Sequence, residues 1–232
     1  MSLLRVLPLL LLLITSISRA DAETMPFAPF TAKYRGEANG MSVRDLGSRT
    51  LTQIGQERFR IEYKAKAMIY SLEETSDFIW QNGIPKPISY DSSRGTFLNK
   101  RENHIKFDWP SGKGSYTHKK KKGQFKLTEG IQDPLSSTML LALQVQDEQS
   151  TITFREAKGD DQDLRVFSLL GTPDLETESG RIKTYHLKRA HEDSKRHTEI
   201  WLHYEYPFIP VKVEQTDDGD HFLLELTSFK LN

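Results

Sequence analysis

The sequence predicts a mainly β protein, a large curved antiparallel sheet or partial barrel with one principal helix packed on it. Apolar and polar residues alternate with a period of two through many short segments, which is typical of strands with one buried face. A single strong helix start interrupts this pattern, and the absence of a strand–long helix–strand rhythm disfavours a parallel α/β sheet. We expect roughly ten to twelve strands, and a sheet of that size should curve.

The clearest strand covers Arg58–Ala67, where apolar residues from Phe59 onward alternate with charged ones. Turn-forming pairs separate the strands at Asn39-Gly40, Asn82-Gly83, Ser111-Gly112 and Asp218-Gly219. Pro85 and Pro87 indicate a strand entrance at a sheet edge, where a missing N–H donor is tolerated. Further strands are predicted at Leu72–Trp80, His104–Trp109, Thr151–Arg155, Leu164–Leu170, Arg181–Arg189, His197–Tyr206, Val211–Gln215 and Phe222–Leu231.

The principal helix is predicted over Asp133–Gln146. Asp133 suits the N-cap, Pro134 suits the first helical position, and a broad apolar stripe follows from Leu135 to Val145. The stripe predicts burial against the sheet, either as a plug or as a lid over a cavity. Ser136 and Ser137 would need a positioned base to be nucleophiles, so we interpret them as part of the helix cap.

Residues 1–20 are predicted to be a cleavable signal peptide, followed by a single β-rich domain at 21–232. Arg5 precedes a leucine-rich run, and a small-x-small cleavage site ends at Ala20, with a second choice at Ala22. The run is too short to span a bilayer. We therefore expect a periplasmic protein without a transmembrane segment.

Composition excludes several classes of function. The sequence has no cysteine, so it offers no thiol nucleophile, no thiolate metal site and no lipoprotein anchor. Removal of Arg5 and Arg19 leaves 30 basic residues against 32 acidic ones, which gives no global attraction to nucleic acid. The one concentrated charge is Lys119–Lys122, which could contact anionic lipid or lipopolysaccharide phosphates but is better interpreted as a solvated hairpin tip.

Metal-binding and catalytic patterns are weak. His197, Glu199, Trp201, His203 and Glu205 share one strand face, but neighbours on such a face are nearly 7 Å apart by the strand rise, so a solvated face is favoured over a zinc site. The acidic run 217–220 is better explained by a turn than by a calcium loop. We predict no catalytic residue, no metal, no cofactor and no enzymatic activity.

An apolar face shared by several predicted strands is the strongest candidate for ligand binding. A curved sheet covered by a helix can hold an apolar ligand, although such residues more often form a dry core. The candidate lining residues are Phe59, Ile61, Tyr63, Phe78, Trp80, Ile105, Phe107 and Trp109.

The chain resembles the bacterial DUF3108 family of exported proteins of unknown function. The resemblance rests on five motifs in order, which are Tyr34-Arg35-Gly36, Gly83–Pro87, Gln132–Ser136, Glu178–Ile182, and Glu199–Leu202 leading to Pro210–Val213. It covers the chain from Phe30 to Leu231 and implies a large antiparallel sheet, similar to periplasmic lipoprotein-carrier folds with a half-barrel and a helical lid. It implies no catalytic residues.

The sequence therefore favours a non-enzymatic periplasmic protein that binds or carries an apolar or amphiphilic component of the cell envelope. The alternative is an envelope scaffold or assembly factor that acts through protein–protein contacts.

Overall fold

A computed structural model describes residues 25–147, 149–159 and 162–232. The predicted signal peptide lies outside the described residues. These residues form fifteen strands and one helix, in the following order: β1 (Phe30–Ala38), β2 (Met41–Gln53), β3 (Arg58–Ala67), β4 (Tyr70–Gln81), β5 (Ile84–Thr96), β6 (Asn99–Asp108), β7 (Lys113–His118), β8 (Lys121–Lys126), α1 (Ser136–Gln146), β9 (Thr151–Ala157), β10 (Gln162–Gly171), β11 (Asp174–Thr177), β12 (Gly180–Arg189), β13 (Arg196–His203), β14 (Pro210–Asp217) and β15 (Asp220–Leu231).

The strands form one large open antiparallel sheet, which confirms the predicted fold class. Strands β1 to β8 run as a meander, and β1 also pairs with β15, which continues through β14, β13, β12 and β10 to β9. The short β11 pairs only with β12. Within the described residues no helix is long and apolar enough to cross a membrane.

Gln132 links edge strand β9 to the start of β5, in the other half of the sheet. Its backbone N–H donates to the carbonyl of Arg155 on edge strand β9 (2.9 Å), and its carbonyl accepts from Ala157 N (2.8 Å). Its side-chain Nε2 donates to the carbonyl of Pro85 at the start of β5 (2.9 Å). The sheet therefore curves into a partial barrel that is tied through the segment before α1.

Helix α1 fills one half of the interior. Met139, Ala142 and Val145 are fully buried, and the helix packs against β5 and β9. The predicted start at Pro134 is corrected, because residues 134 and 135 form a turn and the helix begins at Ser136. Asp133 nevertheless caps it, since its carboxylate accepts from the N–H groups of Leu135 (2.8 Å) and Ser136 (3.0 Å).

The predicted strands are present, most of them longer than predicted. The exception is the strand predicted over His197–Tyr206, which ends at His203 because the chain turns there toward β14. The sequence pattern did not predict the strands β1, β2, β7, β8 and β11. The first six residues of β2 lack a fully buried face, so their alternation is weak.

The proline-marked edge is confirmed. Strand β6 pairs with β5 only from Ser89 onward, so the first residues of β5 have a free side. The carbonyls on that side are used by other groups, since Trp109 Nε1 donates to Pro87 (2.7 Å).

Candidate functional site

The half of the interior that α1 does not fill contains a cleft of about 410 Å³. Its walls come from α1, from the loop before β14 and from strands β13 to β15. Register explains why their apolar residues converge: Ile200 lies opposite Val213, and Val213 lies opposite Leu224. The apolar wall consists mainly of Leu135, Leu141, Ile200, Leu202, Phe208, Val213 and Leu224.

The facing wall carries a row of polar residues. Arg49 on β2 lies directly opposite Tyr63 on β3, and Tyr63 lies directly opposite Glu74 on β4. Tyr34 on β1 lines the same cleft. Side chains directly opposite each other point to the same face, so the register of three strands places this row inside the barrel.

Arg49 is a buried cation with unused hydrogen-bonding capacity. Its side chain is 6% exposed, one guanidinium nitrogen donates to the hydroxyl of Thr138 on α1, and its Nε has no partner. The hydroxyl of Tyr34 is also buried without a partner. Buried polar groups are nearly always hydrogen-bonded, so these two groups mark the inner end of the cleft as a place for an acceptor.

Glu74, the acidic residue of the same row, is hydrogen-bonded to another group. Glu74 accepts a hydrogen bond from the hydroxyl of Tyr90 (2.5 Å), and burial raises the pKa of its carboxyl, which favours the neutral form. Burial lowers the pKa of Arg49, although a guanidinium stays charged. Arg49 forms no ion pair within the part of the chain that the structure describes.

A second cleft of about 410 Å³ continues from the first toward one end of the sheet. The two share Tyr63, Val213, Gln215 and Leu224. The walls of the second cleft are largely apolar and reach the end of β3 at Ala67 and the start of β15 at Phe222. Together they form an elongated cleft with a polar inner end and an apolar outer end.

Tyr63 is the residue from the predicted ligand-lining set that the structure places on this elongated cleft. Trp109 lines a separate groove beside Pro85 and Pro87. The other six are buried in the packed core, and their contact with a ligand stays a prediction: Phe59, Ile61, Phe78, Trp80, Ile105 and Phe107.

Packing between aromatic rings explains why Phe59 and Phe78 lie in the core and not on the elongated cleft. The rings of Phe59 and Phe78 stack with centroids 5.7 Å apart, and Phe27 packs edge-on against Phe59 at 5.0 Å.

The polar row has a signal in the sequence, which is a charged residue at an inward-facing position of a strand. Arg49 lies two residues before the buried Leu51, and Glu74 lies two residues from Leu72, on the inward-facing side of each strand. A charged residue at an inward position of an alternating strand indicates either a buried pair or a binding group.

The structure also shows the contacts of two other groups that the sequence analysis considered, the serines of the helix cap and the strand face of Trp201. The hydroxyl of Ser137 donates to Glu156 Oε2 (3.1 Å), and the hydroxyl of Ser136 accepts from the N–H of Asp133 (3.0 Å). Trp201 is buried, because His186 stacks on it (4.3 Å between ring centroids) and Lys212 lies over it, so its strand face is not uniformly solvated. Among the described residues, no three histidine or acidic side chains are grouped to hold a metal ion.

The curved open sheet, its internal helix and its elongated cleft define a barrel-like β protein with an internal cleft. The family described as "protein of unknown function (DUF3108)" matches residues 30–227, and the chain belongs to this family. The resemblance noted from the sequence motifs is thereby confirmed.

One solved structure shows the same architecture. A β-barrel-like protein of the DUF1849 family from Brucella abortus superposes with a TM-score of 0.58 at 10% identity, over 90% of this chain and 99% of that protein. A DUF1329 protein from Desulfovibrio piger gives a TM-score of 0.24 at 8% identity, over 91% of this chain and 88% of that protein. No functionally curated protein matches the sequence.

Proposed function

We propose that this protein is an exported, non-enzymatic carrier that binds an amphiphilic component of the cell envelope in the elongated cleft. The ligand class follows from the two ends of the cleft. An anionic head group, a carboxylate or a phosphate, fits the unpartnered donors of Arg49 and Tyr34. An apolar chain fits the wall formed by residues such as Val213 and Leu224.

The observation that carries this proposal is the buried guanidinium of Arg49, which faces an apolar wall across the cleft and has no ion-pair partner among the described residues. Desolvation of a charge costs several kcal/mol, on the order of what an ion pair with a ligand restores. An anion at Arg49 would supply that pair, while a neutral apolar ligand would leave the guanidinium unbalanced.

The test is a binding titration with cis-parinaric acid, a fluorescent long-chain carboxylate, against the mature protein in detergent-free buffer. Arg49→Met should weaken binding by on the order of tenfold or more, since a charge-assisted hydrogen bond contributes about 1.5–3 kcal/mol. Ala67→Trp, which fills the outer end of the cleft, should weaken binding even though the charge of Arg49 is intact.

Arg44→Met is the matched control, because Arg44 is an exposed arginine on the same strand. It should leave the affinity unchanged. Equal affinities of wild type and Arg49→Met would overturn the assignment of the head group. Absence of probe binding, together with native mass spectra of the periplasmic protein that show no bound lipid, would overturn the carrier function.

Export is tested by a separate experiment. The intact mass of the protein purified from the periplasm should correspond to cleavage after Ala20 or Ala22. A full-length chain recovered from the cytoplasm would contradict export without bearing on the cleft.

A further inference from the structure

Two hairpin turns at one end of the sheet expose large apolar side chains. The β3/β4 turn consists of Met68 and Ile69, and the β5/β6 turn consists of Phe97 and Leu98. These four side chains are 77–92% exposed. Because β1 to β8 run as a meander, both turns lie at the same end of the sheet, together with the β7/β8 turn at Lys119 and Lys120.

These turns lack the residues that such turns normally require. Other two-residue turns of this chain use Asn39-Gly40, Asn82-Gly83 and Asp218-Gly219, which tolerate a positive φ. Met68 adopts φ +50° without that tolerance. Met68 therefore has a conformational cost, and the exposure of all four apolar side chains has a hydration cost that burial in a partner surface would remove.

The same three hairpin ends carry a strong positive charge. We define the basic hairpin end as residues 65–72, 94–101 and 116–123, which are the turns and the last three register pairs of each hairpin. It contains no aspartate or glutamate, although the whole chain has a net charge of +0. Its eight cations are all exposed and form no ion pair among the described residues: Lys66, Arg94, Lys100, Arg101, Lys119, Lys120, Lys121 and Lys122.

Arg94 and Arg101 place two cations side by side within this end. They lie directly opposite each other on β5 and β6 and line a pocket of about 400 Å³. Like charges in directly opposite positions repel each other, and an anion between them removes that repulsion. At the β14/β15 turn, Asp218 pairs with Lys195 and Asp217 pairs with Arg196. Asp220 accepts a hydrogen bond from Asn39 Nδ2, so one carboxylate of this turn stands without a cation partner against the eight cations.

We propose that the basic hairpin end is a docking surface for an anionic lipid bilayer. Phe97, Leu98, Met68 and Ile69 enter the interface between head groups and acyl chains, while the surrounding lysines and arginines contact lipid phosphates. Charge complementarity favours this occupant over a second copy of the chain, whose own hairpin end would repel it. The outer end of the elongated cleft reaches Ala67 and Tyr70 beside these turns, so docking brings its mouth to the membrane.

Vesicle co-sedimentation tests this inference. The mature wild-type protein should bind vesicles of equal parts phosphatidylglycerol and phosphatidylcholine, bind pure phosphatidylcholine far more weakly, and lose affinity as salt rises. Phe97→Ser/Leu98→Ser should weaken binding by on the order of tenfold or more. Arg94→Gln/Arg101→Gln should weaken binding to the anionic vesicles by on the order of tenfold.

Controls come from the opposite end of the sheet. Ile54→Ser changes an exposed apolar residue at the β2/β3 turn, and Lys33→Gln/Lys230→Gln removes two exposed cations. Both should bind as wild type does. Equal loss in controls and test variants, or equal binding of neutral and anionic vesicles, would overturn the proposal.

A photo-crosslinking residue at Leu98 separates the occupants in cells. Crosslinks to lipid support docking to a bilayer, whereas a reproducible protein adduct or a dimer abolished by Phe97→Ser/Leu98→Ser would overturn it. This assay needs no cleft ligand, so the docking surface and the proposed carrier function can fail separately.

Discussion

The hydroxyl of Ser76 on β4 donates a hydrogen bond of 2.6 Å to Oδ2 of Asp133, and both side chains are fully buried. The other carboxylate oxygen of Asp133 accepts from the N–H groups of Leu135 and Ser136. One carboxyl group therefore joins the sheet to the start of α1. Burial raises its pKa to about 6, because desolvation outweighs these hydrogen bonds.

This buried carboxyl should make stability depend on pH. The folded protein holds the proton of Asp133 more tightly than the unfolded chain, whose pKa is near 3.8. The stabilisation is therefore fully present below pH 3.8 and is lost as pH rises through about 6. The amide oxygen of Asp133→Asn keeps the helix cap, so the free energy of unfolding of wild type relative to this variant should fall by on the order of 2–3 kcal/mol across that range.

Urea denaturation of both proteins at several pH values measures this difference. Comparison with the variant cancels other titrating groups, including Glu74. A constant difference from pH 4 to pH 7 would show that Asp133 has an ordinary pKa in the folded protein.

Arg165 and Glu156 form a buried ion pair that holds β9 and β10 together. Arg165 Nη2 lies 2.6 Å from Glu156 Oε1, and both residues are buried. Arg165→Met leaves the carboxylate of Glu156 with Ser137 and a distant Lys158 (3.8 Å), so we expect a loss of about 3–5 kcal/mol in unfolding free energy. Chemical denaturation measures it, and Arg165→Met/Glu156→Met should recover most of the loss. A double variant as unstable as the single one would contradict this explanation.

Gly47 permits a close approach of β2 to β3. A Cβ at this position would lie 2.1 Å from the carbonyl oxygen of Lys64 and 2.9 Å from Ala65 Cα, both of which are backbone atoms. Gly47→Ala must therefore shift a strand beside the cleft, and we expect destabilisation of about 1–3 kcal/mol in thermal or chemical unfolding. Gly55→Ala, at an exposed turn where the nearest atom is Arg58 Cβ at 3.3 Å, should be nearly neutral. Equal effects of the two substitutions would show that crowding against β3 does not decide the outcome.

Local pattern predicted much of this fold, and long-range register explains what it missed. Strand β3 has the predicted bounds, and the cap by Asp133 follows from residue type and spacing. The row of Arg49 and Glu74 depends on the pairing of three strands, which no short window of sequence contains. The exposed turn at Phe97 and Leu98 could not be distinguished from a strand interior, because apolar residues rarely occupy such turns.

Arg49 gives a prediction that separates binding from folding. Its guanidinium is buried, its Nε has no partner, and the described residues supply no ion pair for it. Such a charge destabilises the empty protein, since its desolvation is not offset. Arg49→Met should therefore raise the unfolding free energy of the ligand-free protein, by on the order of 1 kcal/mol.

The measurement is chemical denaturation of delipidated wild type, Arg49→Met and the exposed control Arg44→Met. If Arg49 served packing alone, its replacement would lower both the stability of the protein and its affinity for the ligand, because α1 would lose its contact through Thr138. A binding residue should show the opposite signs, with greater stability and weaker affinity for cis-parinaric acid. Added ligand should then stabilise wild type and Arg44→Met but leave Arg49→Met nearly unaffected, because a ligand stabilises only the state to which it binds. Loss of stability in delipidated Arg49→Met would assign Arg49 to the architecture of the barrel instead of to its cargo.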